Sequence, residues 1–266
     1  QDITLGIYYL TANPRKGAPI KAFKDIFEVF TALDLKAIGI HSEIKIPNPD
    51  YGKKSTVWGD LKSRFIITTP GRCILNEIWD EKMGFYNSAA NKKEIGRLIS
   101  QCYKHVGHAK AVEALDSLKR LGYEYATKAG FSISISDMTI PENKDSHILE
   151  ARKQIETVSR QFKDGLLTSM ERHNKIIDIW SQTTNKVAND LFSSLGKPFH
   201  DSDEINPVFA MLDSGARGSK DQIKQLAGMR GLMAKPSGDI IERPIISNFR
   251  EGLTVLEYFI STHGAR

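Results

Sequence analysis

Long apolar runs are missing from this 266-residue chain, and nothing in it approaches the roughly 18 consecutive apolar residues that a membrane-spanning helix needs. The opening, QDITLGIYYLTANPRKG, has no basic stretch followed by an apolar core, so it does not read as a signal peptide. Cysteine is scarce. Cys73 and Cys102 stand far apart without a partner motif, which excludes a disulfide scaffold and a cysteine-rich zinc site and fits a reducing compartment. There is no internal repeat and no low-complexity segment. Familiar catalytic patterns are absent too: no Gly-x-Ser-x-Gly elbow, no Cys/His pairing, and no phosphate loop ending in Gly-Lys-Ser/Thr. Asp34, Asp116, Asp137 and Asp178 show no spacing that implies two-carboxylate chemistry. His105 and His108 lie three apart but lack a third metal ligand, so structural histidines are the plainer reading.

What remains describes a soluble globular chain, 40% hydrophobic and 26% charged, long enough for one large domain or two to three small ones. Net charge is +5, and its distribution is uneven. Between Ser214 and Arg250 seven Lys/Arg face three acids, a local +4 that either forms a solvated basic face or meets a polyanion.

Periodicity divides the chain. Up to about Pro141, short strands and helices alternate. Ala22 to Leu35 carries apolar residues at helical spacing, AIGIHSEIKIP alternates as a strand, KKSTVWGDLKSR reads as a loop and FIITTP as a buried strand. Helices are expected over Gly71–Trp79, Lys92–Tyr103 and His108–Lys128, the last with Val112, Leu115, Leu118 and Leu121 on its apolar side. FSISISDMTIP alternates again.

The middle changes character. Ile148, Ala151, Ile155, Val158 and Phe162 repeat in a 3-4 pattern, as do Ile177, Trp180, Thr184, Val187 and Leu191. Two such seams pair as an antiparallel coiled coil. Gly165 stops the first helix and Thr168-Ser-Met-Glu171 is a capping box that opens the second. Arms of ~20 residues reach ~30 Å. A hairpin of this kind is a strut or a docking surface. SSLGKPFHDSDEINP is a loop, SGDIIERP a turn with a short strand, and Asn248–Arg266 a helix capped by Asn248 and still running where the sequence stops.

The stretch LDSGARGSKDQIKQLAGMRGLMAKP concentrates cations and glycines. Ser219-Lys-Asp-Gln222 is a second capping box, so a helix begins near Lys220 with Gly215-Ala-Arg217-Gly218 at its positive end. Free amides and the Arg217 guanidinium together suit a nucleotide's phosphates. A plain turn with a surface arginine is the other reading. The residues alone therefore describe a mildly basic α+β chain with a helical hairpin and a candidate phosphate site.

The run from NPVFAMLDSGARGSKDQIKQLAGMRGLMAKP to NFREGLTVLEYFISTHGAR closely resembles the β′ subunit of bacterial DNA-directed RNA polymerase. ERHNKIIDIW, ATKAGFSISISDMTIP, FIITTPGR and QDITLGIYYLT extend the likeness over the whole chain, as one internal segment of that subunit. The resemblance implies an α+β, multi-domain segment in three regions: a small α/β pore domain (1–137), a funnel with the rim-helix hairpin (138–212), and the start of the cleft domain with the F-loop and a bridge helix beginning near Leu253 (213–266). It implies that Arg217 contacts the incoming nucleotide's triphosphate, and that Gly228, Gly231 and Gly264 serve as hinges. In proteobacterial relatives the positions matching Glu171, Asn174, Lys175 and Asp178 bind a channel factor and the alarmone guanosine tetraphosphate. Ala109 and Arg120 stand where a second alarmone site carries lysine and tyrosine. No catalytic residue is expected within the chain; the magnesium ligands and zinc sites of the family lie outside it. The implied partners are the β, α, ω and σ subunits, template DNA, the RNA transcript, ribonucleoside triphosphates and secondary-channel factors, in the bacterial cytoplasm at the nucleoid. Alone, the chain is expected to be inactive. The alternatives are a stand-alone nucleotide- or nucleic-acid-binding module and an interaction scaffold built on the hairpin. A polymerase segment is expected to expose apolar patches that a free module would cover.

Overall fold

The structure, a computed structural model, describes residues 1–13, 19–196, 205–235 and 237–264. The chain folds as two compact units, Gln1–Ser132 with Ala210–Arg217, and Ile133–Phe209 with Gly218–Arg266.

The first unit opens with α1 (Asp2–Thr11), followed by β1 (Lys21–Ala22) and α2 (Ile26–Asp34). The expected helix from Ala22 starts four residues late because Asp25 caps it, its carboxylate accepting from the Glu28 amide at 2.8 Å. Strand β2 covers only Ile44–Pro47 of the alternating AIGIHSEIKIP, with Ile44 and Ile46 fully buried. It pairs in parallel with β1 and antiparallel with β3 (Phe65–Thr68), Ile44 opposite Thr68 and Pro47 opposite Phe65. The FIITTP strand is not buried as expected: it ends the sheet, and Phe65 and Ile67 are about half exposed. Thr69 and Pro70 then start α3 (Pro70–Asn76), and Asn91 caps α4 (Lys92–Val106) through the Glu94 amide.

α5 (His108–Ala129) runs as expected but buries a different face. Val112 and Leu115 are exposed, whereas Ala111, Ala114, Leu118, Gly122 and Tyr125 are buried. The reason is the closeness of α1: a Cβ on Gly122 would fall 2.6 Å from the Ile3 side chain, so small residues must form the contact. Ile7 and Leu10 of α1, Leu98 of α4, Leu75 and Met83 complete this core. A satellite core of Val29, Ile38, Ile44, Ile46, Cys73 and Phe85 lies under the sheet. Burial pushes the Cys73 thiol up to about 12, so it is inert.

The second unit begins with a further correction. FSISISDMTIP forms no strand; Ile135–Asp137 is a single 3₁₀ turn closed by a Ser134/Asp137 capping box, with Ile133 and Ile135 exposed. Alternation without a neighbouring edge gives no ladder. α6 (Lys144–Lys163) and α7 (Ser169–Leu195) form the expected antiparallel hairpin. Gly165 takes φ +75° at the turn, and Thr168 and Glu171 make the reciprocal cap. Ile148, Ala151 and Val158 meet Ile176, Trp180 and Val187. Ile176 rather than Ile177 occupies the buried end of the α7 seam, and the face widens to Thr183, Ala188 and Leu195 as α7 continues. The loop expected over 193–207 falls largely outside the described residues.

Beyond α8 (Pro207–Asp213) comes α9 (Lys220–Ile223), a single turn that passes into a π-helical stretch, Lys224–Gly228. SGDIIERP forms no strand: its Ile240 makes an isolated bridge with Ala234, and Ile245 just after it makes another with Gly231. The last helix, α10 (Val255–Gly264), starts seven residues after the predicted point. Asn248 does not cap it.

Candidate functional site

Glu171, Asn174, Lys175 and Asp178 all lie on the exposed face of α7, opposite the seam residues Ile176 and Trp180. Glu171 is engaged locally: its carboxylate accepts from the Thr168 amide and hydroxyl, both at 2.8 Å, and these bonds, the amide first, hold it below the usual range. The side chains of Asn174 and Asp178 make no hydrogen bond among the described residues.

Between Glu171 and Asn174 stand two residues whose side chains do have a partner. Arg172 Nη2 and His173 Nδ1 each lie 2.9 Å from the same atom, Oε1 of Glu242. Arg172 also stacks over Phe162 at the end of α6, 5.2 Å from the ring centre. Local sequence gave no signal for this cluster, because Glu242 is 70 residues from Arg172.

Arg217 sits in the first unit, on the turn that closes α8. Its amide donates to the Met211 carbonyl at 3.2 Å, and Ser214, fully buried, accepts through its carbonyl from the first amide of α4, Lys92, at 2.9 Å. Gly215 and Gly218 take φ +70° and +87° on either side of Ala216 and Arg217. The guanidinium is exposed and touches the Gln1 side chain at 3.2 Å. The capping box expected at Ser219 is present: Ser219 accepts from the Gln222 amide and Gln222 from the Ser219 amide. Those two amides are thereby occupied, and the α-helix they open is only one turn long. This capped turn belongs to the second unit.

Gly228 and Gly231 both press against α7. A Cβ on Gly228 would lie 3.3 Å from Leu191, and one on Gly231, at φ +82°, 3.2 Å from Thr184. Gly264 is the last described residue of α10, and its surroundings lie outside the described residues. Asn248, fully buried, donates to the carbonyls of Ala227 and Gly228 at 3.2 and 3.0 Å; the Phe249 and Arg250 amides donate to Gln225 and Leu226. The π-helical carbonyls are thus satisfied by the loop that precedes α10.

The model of RNA polymerase Rpb1, domain 3, matches residues 1–138, just over half of the chain. The chain belongs to the RNA polymerase Rpb1 family. Domain 4 of the same family matches residues 167–250, which include the α7 face, Arg217 and the π-helical stretch. Proteins named DNA-directed RNA polymerase subunit beta' match the chain over its full length: 52% identity in Methylacidiphilum infernorum, 49% in Opitutus terrae and 46% in Chlamydia trachomatis serovar D. The chain covers 19%, 19% and 20% of those relatives, so it corresponds to about a fifth of their length. No described helix is long and apolar enough to cross a membrane. No group of three or more His, Cys, Asp or Glu among the described residues could hold a metal.

Proposed function

We propose that this chain is a segment of the β′ subunit of a bacterial DNA-directed RNA polymerase, acting in the cytoplasm with the other polymerase subunits, template DNA and the RNA transcript. The reaction is nucleotidyl transfer from ribonucleoside triphosphates. The observation that carries the reading is the match of the whole chain to one internal fifth of β′ proteins at 46–52% identity. The exposed apolar face of α10 supports it: Val255, Leu256, Tyr258 and Phe259 are 60–86% exposed, a surface that requires another chain segment or subunit to cover it.

Within that enzyme, residues 1–137 form the pore, 138–212 the funnel and rim, and 213–266 the F-loop and the start of the bridge helix. Arg217 contacts the triphosphate of the incoming nucleotide. Its role rests on an exposed guanidinium held by a turn pinned to α4, rather than on the end of a long helix. A fixed cation beside the phosphates offsets the charge that develops on the departing pyrophosphate. The magnesium ligands belong to the rest of the protein. Gly228, Gly231 and Gly264 permit close packing and hinge motion near α10. The exposed α7 face receives secondary-channel factors and guanosine tetraphosphate.

The test is steady-state nucleotide incorporation by the assembled polymerase carrying Arg217→Ala. The KM for nucleotides should rise about tenfold or more, as expected for a lost charge-assisted phosphate contact, with assembly unchanged. Unaltered KM and kcat would remove Arg217 from the triphosphate site.

A further inference from the structure

Glu242 ties its own segment to α7 through two specific contacts. Its Oε1 holds Arg172 and His173, consecutive residues in the first turns of α7. Both are partly buried, while Glu171, Asn174 and Lys175 on either side point outward. Helical geometry makes this interleaving consequential: fixing the azimuth of Arg172 and His173 fixes the azimuth of the exposed face one residue away. Arg172 adds the end of α6 through its stacking on Phe162.

The segment that carries Glu242 is itself gripped further on. The Ile245 amide and carbonyl exchange bonds with Gly231 at 2.8 and 2.9 Å. The Ile246 and Ser247 amides donate to Glu257 Oε1 at 2.9 and 3.1 Å, and the Ser247 hydroxyl reaches Oε2 at 2.9 Å. Glu257 in turn caps α10, accepting from the Thr254 amide and hydroxyl. Six residues, 242–247, therefore run as a strap from the exposed α7 face to the first turn of α10, with a carboxylate clamp at each end.

We infer that Glu242 is a positioning residue: it sets the orientation of the partner-binding face of α7 and couples that face mechanically to the start of α10. The assignment of the face to channel factors rests on the proposed polymerase reading; the coupling itself rests on the strap. A partner that shifts α7 would move Glu242, and with it the Glu257 cap. This is a contiguous connection whose two ends can be biased separately.

The experiment is amide hydrogen exchange on the assembled polymerase with wild-type, Glu242→Ala, Arg172→Ala and doubly substituted β′. Either single substitution should speed exchange about three- to tenfold over both 168–178 and 254–258. The double variant should exchange no faster than Glu242→Ala, because that substitution already removes both the Arg172 and the His173 bond. Acceleration confined to 168–178, or additive effects, would overturn the coupling and leave Glu242 a local brace. Glu242→Gln, which keeps an acceptor but loses the charge, should fall between wild type and Glu242→Ala; full loss of protection there points to misfolding and counts against the clamp. Labelled guanosine tetraphosphate binding to Asn174→Ala/Lys175→Ala polymerase is the separate arm. Unchanged binding there rejects the assignment of the face, whatever the exchange data show for the strap.

Discussion

Gly6 of α1 and Gly122 of α5 face each other so closely that a Cβ on Gly6 would lie 1.9 Å from the Gly122 carbonyl oxygen. The obstacle is backbone, which cannot rotate away. Gly6→Ala should therefore force α1 off α5 and open the core around Ile7 and Leu118. A loss of about 3 kcal/mol or more is expected, at the upper end of overpacking effects. Thermal unfolding of the full-length subunit, with Gly96→Ala as the unobstructed control, reads it out.

Asn248 supplies both hydrogen bonds that satisfy the Ala227 and Gly228 carbonyls. Asn248→Ala strands two acceptors in a buried site, at about 2–4 kcal/mol. Asn248→Asp should be worse, because it sets a carboxylate against two carbonyls. Exchange at 224–231 and 248–252 measures the damage; protection equal to wild type in both variants would contradict the anchoring role.

Glu257 gives a pH prediction. Burial alone would raise its pKa, but hydrogen bonds from Thr254 and Ser247 outweigh that and lower it from 4.5 to about 2. A depressed folded-state value means stability that is present above 4.5 and is lost as pH falls toward 2. The stability difference between wild type and Glu257→Gln should thus be constant at neutral pH and shrink through that window. A difference independent of pH between 5 and 2 would show that the carboxylate charge is not what the cap uses.

Asn174→Ala/Lys175→Ala tests the α7 face without touching its packing. Both residues are exposed, so stability should change by less than about 0.5 kcal/mol. Binding of a secondary-channel factor should weaken about tenfold, while nucleotide KM stays at the wild-type value. Fluorescence anisotropy with the labelled factor separates the two effects.

The two hairpin arms, the Thr168/Glu171 and Ser219/Gln222 caps and the Gly165 turn were legible in the sequence because each is decided within one helical turn. The glycine-rich stretch around Arg217 could be recognised from spacing and charge, but its support on Lys92 could not, since the two residues meet only after folding.

Sequence by itself determined where the hairpin arms meet at Gly165 and Thr168, which arms pair, and the resemblance that carries the functional reading. Tertiary structure alone decided that α5 buries its alanines instead of Val112 and Leu115, that FSISISDMTIP lacks a strand partner, that Asn248 serves the π-helical carbonyls rather than α10, and that Glu242 grips Arg172 and His173. The physical division is one of range. Capping and periodicity act over three or four residues, whereas a buried face or a shared carboxylate depends on which distant surface arrives against it, and how closely.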